Sequence, residues 1–142
     1  LRARLADAEF FWQQDQARQL ESYLTALGDV TFYEGLGSIH DKAIRMEKLA
    51  SAIAPHMPSA NPKATSRAAR LAKADLVTGM VGEFPELQGI MGGYYAAASG
   101  EDKAVCDAIT AHYRPQGPEM SPGICSNSQA IPSSRQRTEA RG

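Results

Sequence analysis

Apolar residues recur at intervals of three and four along most of the chain between Arg2 and Tyr113, which is the spacing of one buried face on successive helices. The densest example is LAKADLVTGMVGEFPELQGIMGGYY, from Leu71 to Tyr95. Val77, Met80, Val81 and Phe84 form one stripe, and Leu87, Ile90, Met91, Tyr94, Tyr95 and Ala98 form the next. Both stripes are expected to be buried, with the Phe84-Pro85 break as a corner. Pro85 suits the first turn of a helix, where its missing N–H removes a donor that would have no partner, and Glu86 lies at the positive end of that helix's dipole.

The same reading divides the rest of the chain. Arg2 to Leu27 contains no Gly or Pro and carries Leu5, Ala8, Phe11 and Trp12 on one side, which predicts a long first helix closed by Gly28. Val30 to Tyr33 is β-branched and aromatic but has no evident partner strand, so it reads as a loop before Gly35 and Gly37. Ser38 is a fit N-cap for a second helix with Ile39, Ala43, Met46, Ala50 and Ile53 inward, ending before Pro55. After Pro55, Pro58 and Pro62, Thr65 or Ser66 is expected to cap a third helix running through RAARLAKADLVTGMV, with Arg67, Arg70 and Lys73 close together on one flank. The fourth helix starts at Pro85. A fifth runs from Glu101 to Tyr113, with Val105, Ile109 and Tyr113 four apart behind the early acids Glu101 and Asp102.

The predicted class is therefore all-α, a bundle of about five helices in one domain over residues 1–116. From 117 to 142 the text becomes EMSPGICSNSQAIPSSRQRTEARG after its opening Gly and Pro, with no helical period and few apolar residues, and disorder is expected. The chain opens inside an amphipathic segment without Met, which suggests a piece of something larger.

Composition narrows the chemistry. Fifteen basic and sixteen acidic residues give a formal charge of −1, so no global electrostatic argument for nucleic acid exists, although a local basic patch is compatible with it. No apolar run approaches the ~20 residues that span a bilayer, and no secretory signal is evident. The reading is a soluble, cytoplasmic protein. Cys106 and Cys125 read as free thiols. A Gly-rich phosphate loop is missing from the text, and nothing in Glu83 to Gly89 makes a nucleophile with an activating base.

Four segments in this order, LRARLADAEFFWQQD, GLGSIHDKAIRM, ADLVTGMVGEFPELQG within the Leu71 to Tyr95 run, and AITAHYRP, closely resemble the middle of the bacterial glycyl-tRNA synthetase beta subunit, over about the first 117 residues. The resemblance implies an internal piece of a much longer subunit. It also implies partners and cofactors: an alpha subunit in a heterotetramer of two alpha and two beta chains, tRNA(Gly), and ATP with Mg used by the complete enzyme, with no cofactor held by this piece. Glycine activation belongs to the alpha subunit in that family, and the beta subunit binds and positions tRNA, so this piece alone is expected to be inactive. The family continues after Gly117 with a helix bearing an ALADKxD pattern that the tail lacks, so the bundle is expected to be incomplete at its C-terminal end.

The helix order is also similar to the HD superfamily, whose metal-dependent phosphohydrolases use a His, a His-Asp doublet and a distant Asp. That alignment puts Asp75 at the doublet's acid and Ala74 where its His would stand, leaves His112 on the later helix, and sets the first His near His40 and Asp41. A degenerate, metal-free scaffold is therefore expected, with a metal phosphohydrolase as the rival. Asp41 reads as a helix N-terminal acid and Asp75 as a buried structural acid. For RNA phosphates the candidates are Arg67, Arg70 and Lys73, with Lys42, Arg45 and Arg114; the bland reading of each is a solvated face. A structural module without RNA contact is the third reading.

Overall fold

The computed structural model describes residues 2–114, which are mostly helical; the expected tail at 117–142 lies outside them. Among the described residues there are six α-helices joined by 3-10 turns and one small hairpin: α1 Arg2–Gln16, β1 Thr31–Tyr33, β2 Gly37–Ser38, α2 Ile39–Ile53, α3 Pro62–Leu71, α4 Gly79–Glu83, α5 Ile90–Ala98 and α6 Lys103–Ala111. Helix α3 is central, packing on α2 at one side and α6 at the other, while α5 lies along α6 and α1 crosses α4. The core combines Leu20, Leu24 and Leu27 with Leu71, Met80, Val81, Met91, Tyr95, Val105 and Ile109. Each fully buried leucine contributes about 1.5–3 kcal/mol. No described helix is long and apolar enough to cross a membrane.

The expected first helix stops at Gln16 and the chain resumes as a 3-10 stretch over Leu20–Asp29. Tertiary bonds replace the helical ones there. The Asp15 carbonyl accepts from the Tyr23 hydroxyl at 3.1 Å, and the Leu20 amide donates to Ser99 Oγ at 2.9 Å. The tighter winding turns Leu20, Leu24 and Leu27 into the core, and Gly28 lies inside the stretch instead of ending a helix.

Residues 30–33 are not a plain loop, because β1 pairs antiparallel with Gly37 and Ser38 just beyond the turn. Those two small residues carry no strand signature, which is why the partner escaped the pattern. Gly35 and Gly37 take the left-handed conformation (φ 81° and 79°) that closes the turn.

The N-cap at Ser38 is as expected, and Asp41 completes a capping box: Asp41 N–H donates to Ser38 Oγ at 3.2 Å and Ser38 N–H to Asp41 Oδ2 at 2.9 Å. Ala43 is buried on α2, but Ile53, expected inward, is 49% exposed at the last position of the helix. Helix α3 starts earlier than Thr65. Asn61 Oδ1 accepts from Lys63 and Ala64 N–H while Pro62 opens the first turn, an Asn-Pro start that precedes the apolar period.

The continuous third helix of the sequence reading is broken into α3, a 3-10 turn at Ala74–Val77 and α4. Likewise Pro85–Leu87 is a 3-10 turn, and α5 begins only after Gly89, whose φ is 78°. Helix α6 is also shorter than the predicted Glu101 to Tyr113. On α5, Met91 and Tyr95 are buried but Ile90 (44%) and Tyr94 (61%) are exposed, so one stripe is covered and its neighbour is not. Trp12 stacks on Tyr95 with centroids 5.4 Å apart and closes the α1 side. Gly93 allows α5 and α6 to touch, since a Cβ there would strike the Thr110 side chain and lie 3.1 Å from the Cys106 carbonyl.

Candidate functional site

Two buried carboxylates account for the breaks after α3 and before α5. Asp15, at the end of α1 and 4% exposed, accepts from Gly79 N–H and Met80 N–H, each at 2.9 Å, and from the Tyr95 hydroxyl at 2.8 Å. It thus caps α4 from a distant helix, together with Thr78 Oγ1, which accepts from Val81 N–H at 3.4 Å. Burial and the adjacent Asp15 carboxylate push the Tyr95 phenol's pKa up. Asp75, 1% exposed, accepts through Oδ2 from Gly89 N–H at 2.6 Å and Gly92 N–H at 3.1 Å. Burial raises its pKa against the opposing pull of those two amides. A Cβ on Gly92 would lie 3.0 Å from that carboxylate, so the glycine is required by the contact. Asp75 is thus the buried, hydrogen-bonded acid that the sequence suggested.

Beside Asp75 the structure brings Lys73 to His112. Lys73 is 9% exposed; its Nζ lies 2.9 Å from His112 Nε2 and 3.7 Å from the centroid of the Tyr113 ring. His112 Nδ1 lies 2.5 Å from the Ile109 carbonyl, so the proton belongs on Nδ1 and the Nε2 lone pair accepts from the ammonium. Burial, then the charge of Lys42, lowers the Lys73 pKa to about 8, and burial lowers that of His112. A metal would need the lone pair that Lys73 already engages. With an alanine at position 74 beside Asp75, the residues here do not fit a metal, and among those described no three His, Cys, Asp or Glu side chains form a metal cluster. His40 is half-buried beside Asp41, whose carboxylate serves the α2 cap; the two Ser38 bonds hold its pKa down.

The basic flank expected from Arg67, Arg70 and Lys73 is divided, because α3 ends at Leu71 and Lys73 points into the interior. Arg67 is held by Glu21 at 2.9 Å and Glu101 at 2.6 Å, and both carboxylates push its pKa up. Arg70 lies 3.3 Å from Glu47 and 3.8 Å from Glu21. Glu21, Glu47, Arg67 and Arg70 line an open cleft of about 620 Å³ with Lys63 and Ser66. Lys42 is half-buried with its Nζ 3.9 Å from the Phe32 ring centroid, while Arg45 and Arg114 are exposed.

Residues 1–130 match the sequence model of a family described as glycyl-tRNA synthetase beta subunit. The chain belongs to that family. It is 57% identical over 121 residues to the glycine–tRNA ligase beta subunit of Phenylobacterium zucineum, a match covering 83% of this chain and 18% of the relative. The beta subunits of Acidithiobacillus ferrooxidans (53% over 117 residues) and Neisseria meningitidis (53% over 116) match 82% of this chain and 17% of their own lengths. The chain thus spans less than a fifth of these glycyl-tRNA synthetase beta subunits.

Within that family, Asp15 and the Lys73–His112 pair are the contacts that sequence reasoning missed. Neither pair of partners is adjacent in the chain, and an apolar period carries no information about which polar side chain faces an interior donor. The only available signal was an acid or lysine placed among positions that otherwise bury.

Proposed function

We propose that this chain is an HD-like, central helical part of a glycyl-tRNA synthetase beta subunit. It supports binding and positioning of tRNA(Gly) while the complete enzyme, two alpha and two beta chains in the cytoplasm, attaches glycine at the expense of ATP with Mg. By itself the piece is inactive and holds no cofactor. The observation that carries the reading is the family match across residues 1–130. Its polar interior also supports a scaffold: the buried acids bind backbone amides, and His112 is engaged by Lys73.

RNA phosphates are assigned to those of the six expected basic residues that have no carboxylate within 4.0 Å: the exposed Arg45 and Arg114, the half-buried Lys42, and Lys73. Such contacts supply affinity without reading bases. Arg67 and Arg70 contribute less, because Glu21, Glu47 and Glu101 neutralise them locally. The test is charge reversal, Arg45→Glu with Arg114→Glu, in the beta subunit of the assembled complex. KM for tRNA(Gly) should rise by about tenfold with kcat little changed. An unchanged KM would favour a structural module that does not touch RNA.

A further inference from the structure

Helix α5, IMGGYYAAA from Ile90 to Ala98, carries no charged side chain, and its only polar side-chain groups are the hydroxyls of Tyr94 and Tyr95. One side of it is accounted for. Met91, Tyr95 and Ala96 join the core, the Tyr95 hydroxyl is bonded to Asp15, and Gly92 and Gly93 lie against Asp75 and α6. The other side consists of Ile90, Tyr94, Ala97 and Ala98, all exposed and spaced to form one continuous apolar face. It continues onto α1, where the half-buried Trp12 meets the Tyr94 ring edge-on with centroids 6.4 Å apart.

A helix that is apolar all round belongs to the interior of a larger protein or to a membrane span, and α5, with nine residues, is far shorter than the ~20 that a bilayer requires. The absence of any charge on α5 also argues against an RNA backbone or an acidic partner as its cover. What remains is another apolar protein surface. A face of this kind offers on the order of a few hundred Å², against about 800 Å² per partner in a stable complex between separate chains. That is too little to hold a second copy of this chain, but it suits a segment tethered in the same polypeptide, whose effective concentration is on the order of millimolar. The length for such a segment exists, because this chain spans less than a fifth of its beta-subunit relatives. Its path also passes the face: Tyr113, just after α6, donates to Gln88 at 2.9 Å, and its ring would lie 3.2 Å from a Cβ on Gly89, the residue before Ile90.

We propose that the α5 face of Ile90, Tyr94 and Ala97, with Trp12 beside it, seats the apolar stripe of a helix from the part of the same beta subunit outside residues 2–114. The small side chains of Ala97 and Ala98 let such a helix approach closely. This rests on reading the chain as part of a longer subunit, and it makes α5 an interior helix of that subunit.

The experiment is site-specific photo-crosslinking in the purified alpha–beta complex, with Tyr94→benzoylphenylalanine in the beta subunit and the linked peptides identified by mass spectrometry. Maleimide labelling of Ala97→Cys in the same complex measures coverage of the face; Ala97 is exposed and close to cysteine in size, so the substitution leaves the packing of α5 intact. The expected crosslink joins position 94 to beta-subunit residues outside 2–114 of the same chain, and the cysteine should label slower than in denaturant by about tenfold or more. Crosslinks to the alpha subunit, to a second beta chain or to bound tRNA overturn the proposal. Labelling as fast as in denaturant does so too, because it leaves the face bare. The intact mass of the purified beta chain tests the underlying reading separately: a mature chain no longer than this sequence defeats the longer-subunit reading itself, and this proposal with it.

Discussion

Replacing Asp15 by Ala tests the claim that one side chain on α1 organises the start of α4. In the native structure its carboxylate accepts from Gly79 N–H, Met80 N–H and the Tyr95 hydroxyl at 2.8–2.9 Å, with only 4% of the residue exposed. Removal leaves two amides and a phenol without an acceptor, each costing about 1–3 kcal/mol when buried. No longer burying a carboxylate offsets part of that loss. The balance is about 3 kcal/mol, a large share of the 5–15 kcal/mol that stabilises an ordinary domain. Asp15→Asn should cost less, because its amide oxygen still accepts one bond while its NH2 opposes the remaining N–H donor. Amide hydrogen exchange in the intact beta subunit reads this directly. Peptides containing Gly79 and Met80 should exchange on the order of a hundredfold faster in Asp15→Ala, with a smaller acceleration in Asp15→Asn. Acceleration of less than about fivefold, equivalent to roughly 1 kcal/mol, would refute the capping role.

Two further outcomes follow from the same interior. Gly92→Ala places a Cβ 2.9 Å from Ile109 Cγ2 and 3.0 Å from Asp75 Oδ2. It should destabilise by about 1–3 kcal/mol by overpacking despite alanine's better helix propensity, and a chemical denaturation curve equal to that of the unaltered subunit would contradict it. Lys73, with its pKa lowered from 10.5 to about 8, releases its proton earlier in the folded than in the unfolded state. Between those values the unfolded chain binds more protons, so this group's contribution to stability rises with pH, by about 2 kcal/mol from pH 7.5 to 9.5. The raised phenols of Tyr95 and Tyr113 and the raised thiol of Cys106 act in the opposite direction but are common to both proteins. Subtracting the Lys73→Met profile in phosphate-free buffer should therefore isolate the rise, and parallel profiles would contradict it.

The legible part of the fold was what depends on short-range periodicity and local hydrogen bonding. Ser38 as N-cap and the buried line of Val105 and Ile109 both involve only a few neighbouring residues. Most element boundaries were less legible. The Leu20 amide chose the Ser99 hydroxyl over a helical carbonyl, and the α4 amides chose Asp15. An apolar period continues smoothly through both breaks, because a 3-10 turn still directs every third or fourth side chain inward.

The sequence by itself determined that the chain is helical and belongs with glycyl-tRNA synthetase beta subunits, since apolar spacing and long motifs are properties of the order of residues. Only the tertiary structure decided what the charged residues do. Arg67, Arg70 and Lys73 read as one basic flank, yet two are matched to glutamates from other elements and the third is enclosed with His112. A charge is free, neutralised or buried according to which groups lie within a few ångströms of it, and for these three the partners lie from 23 to 49 positions away in sequence.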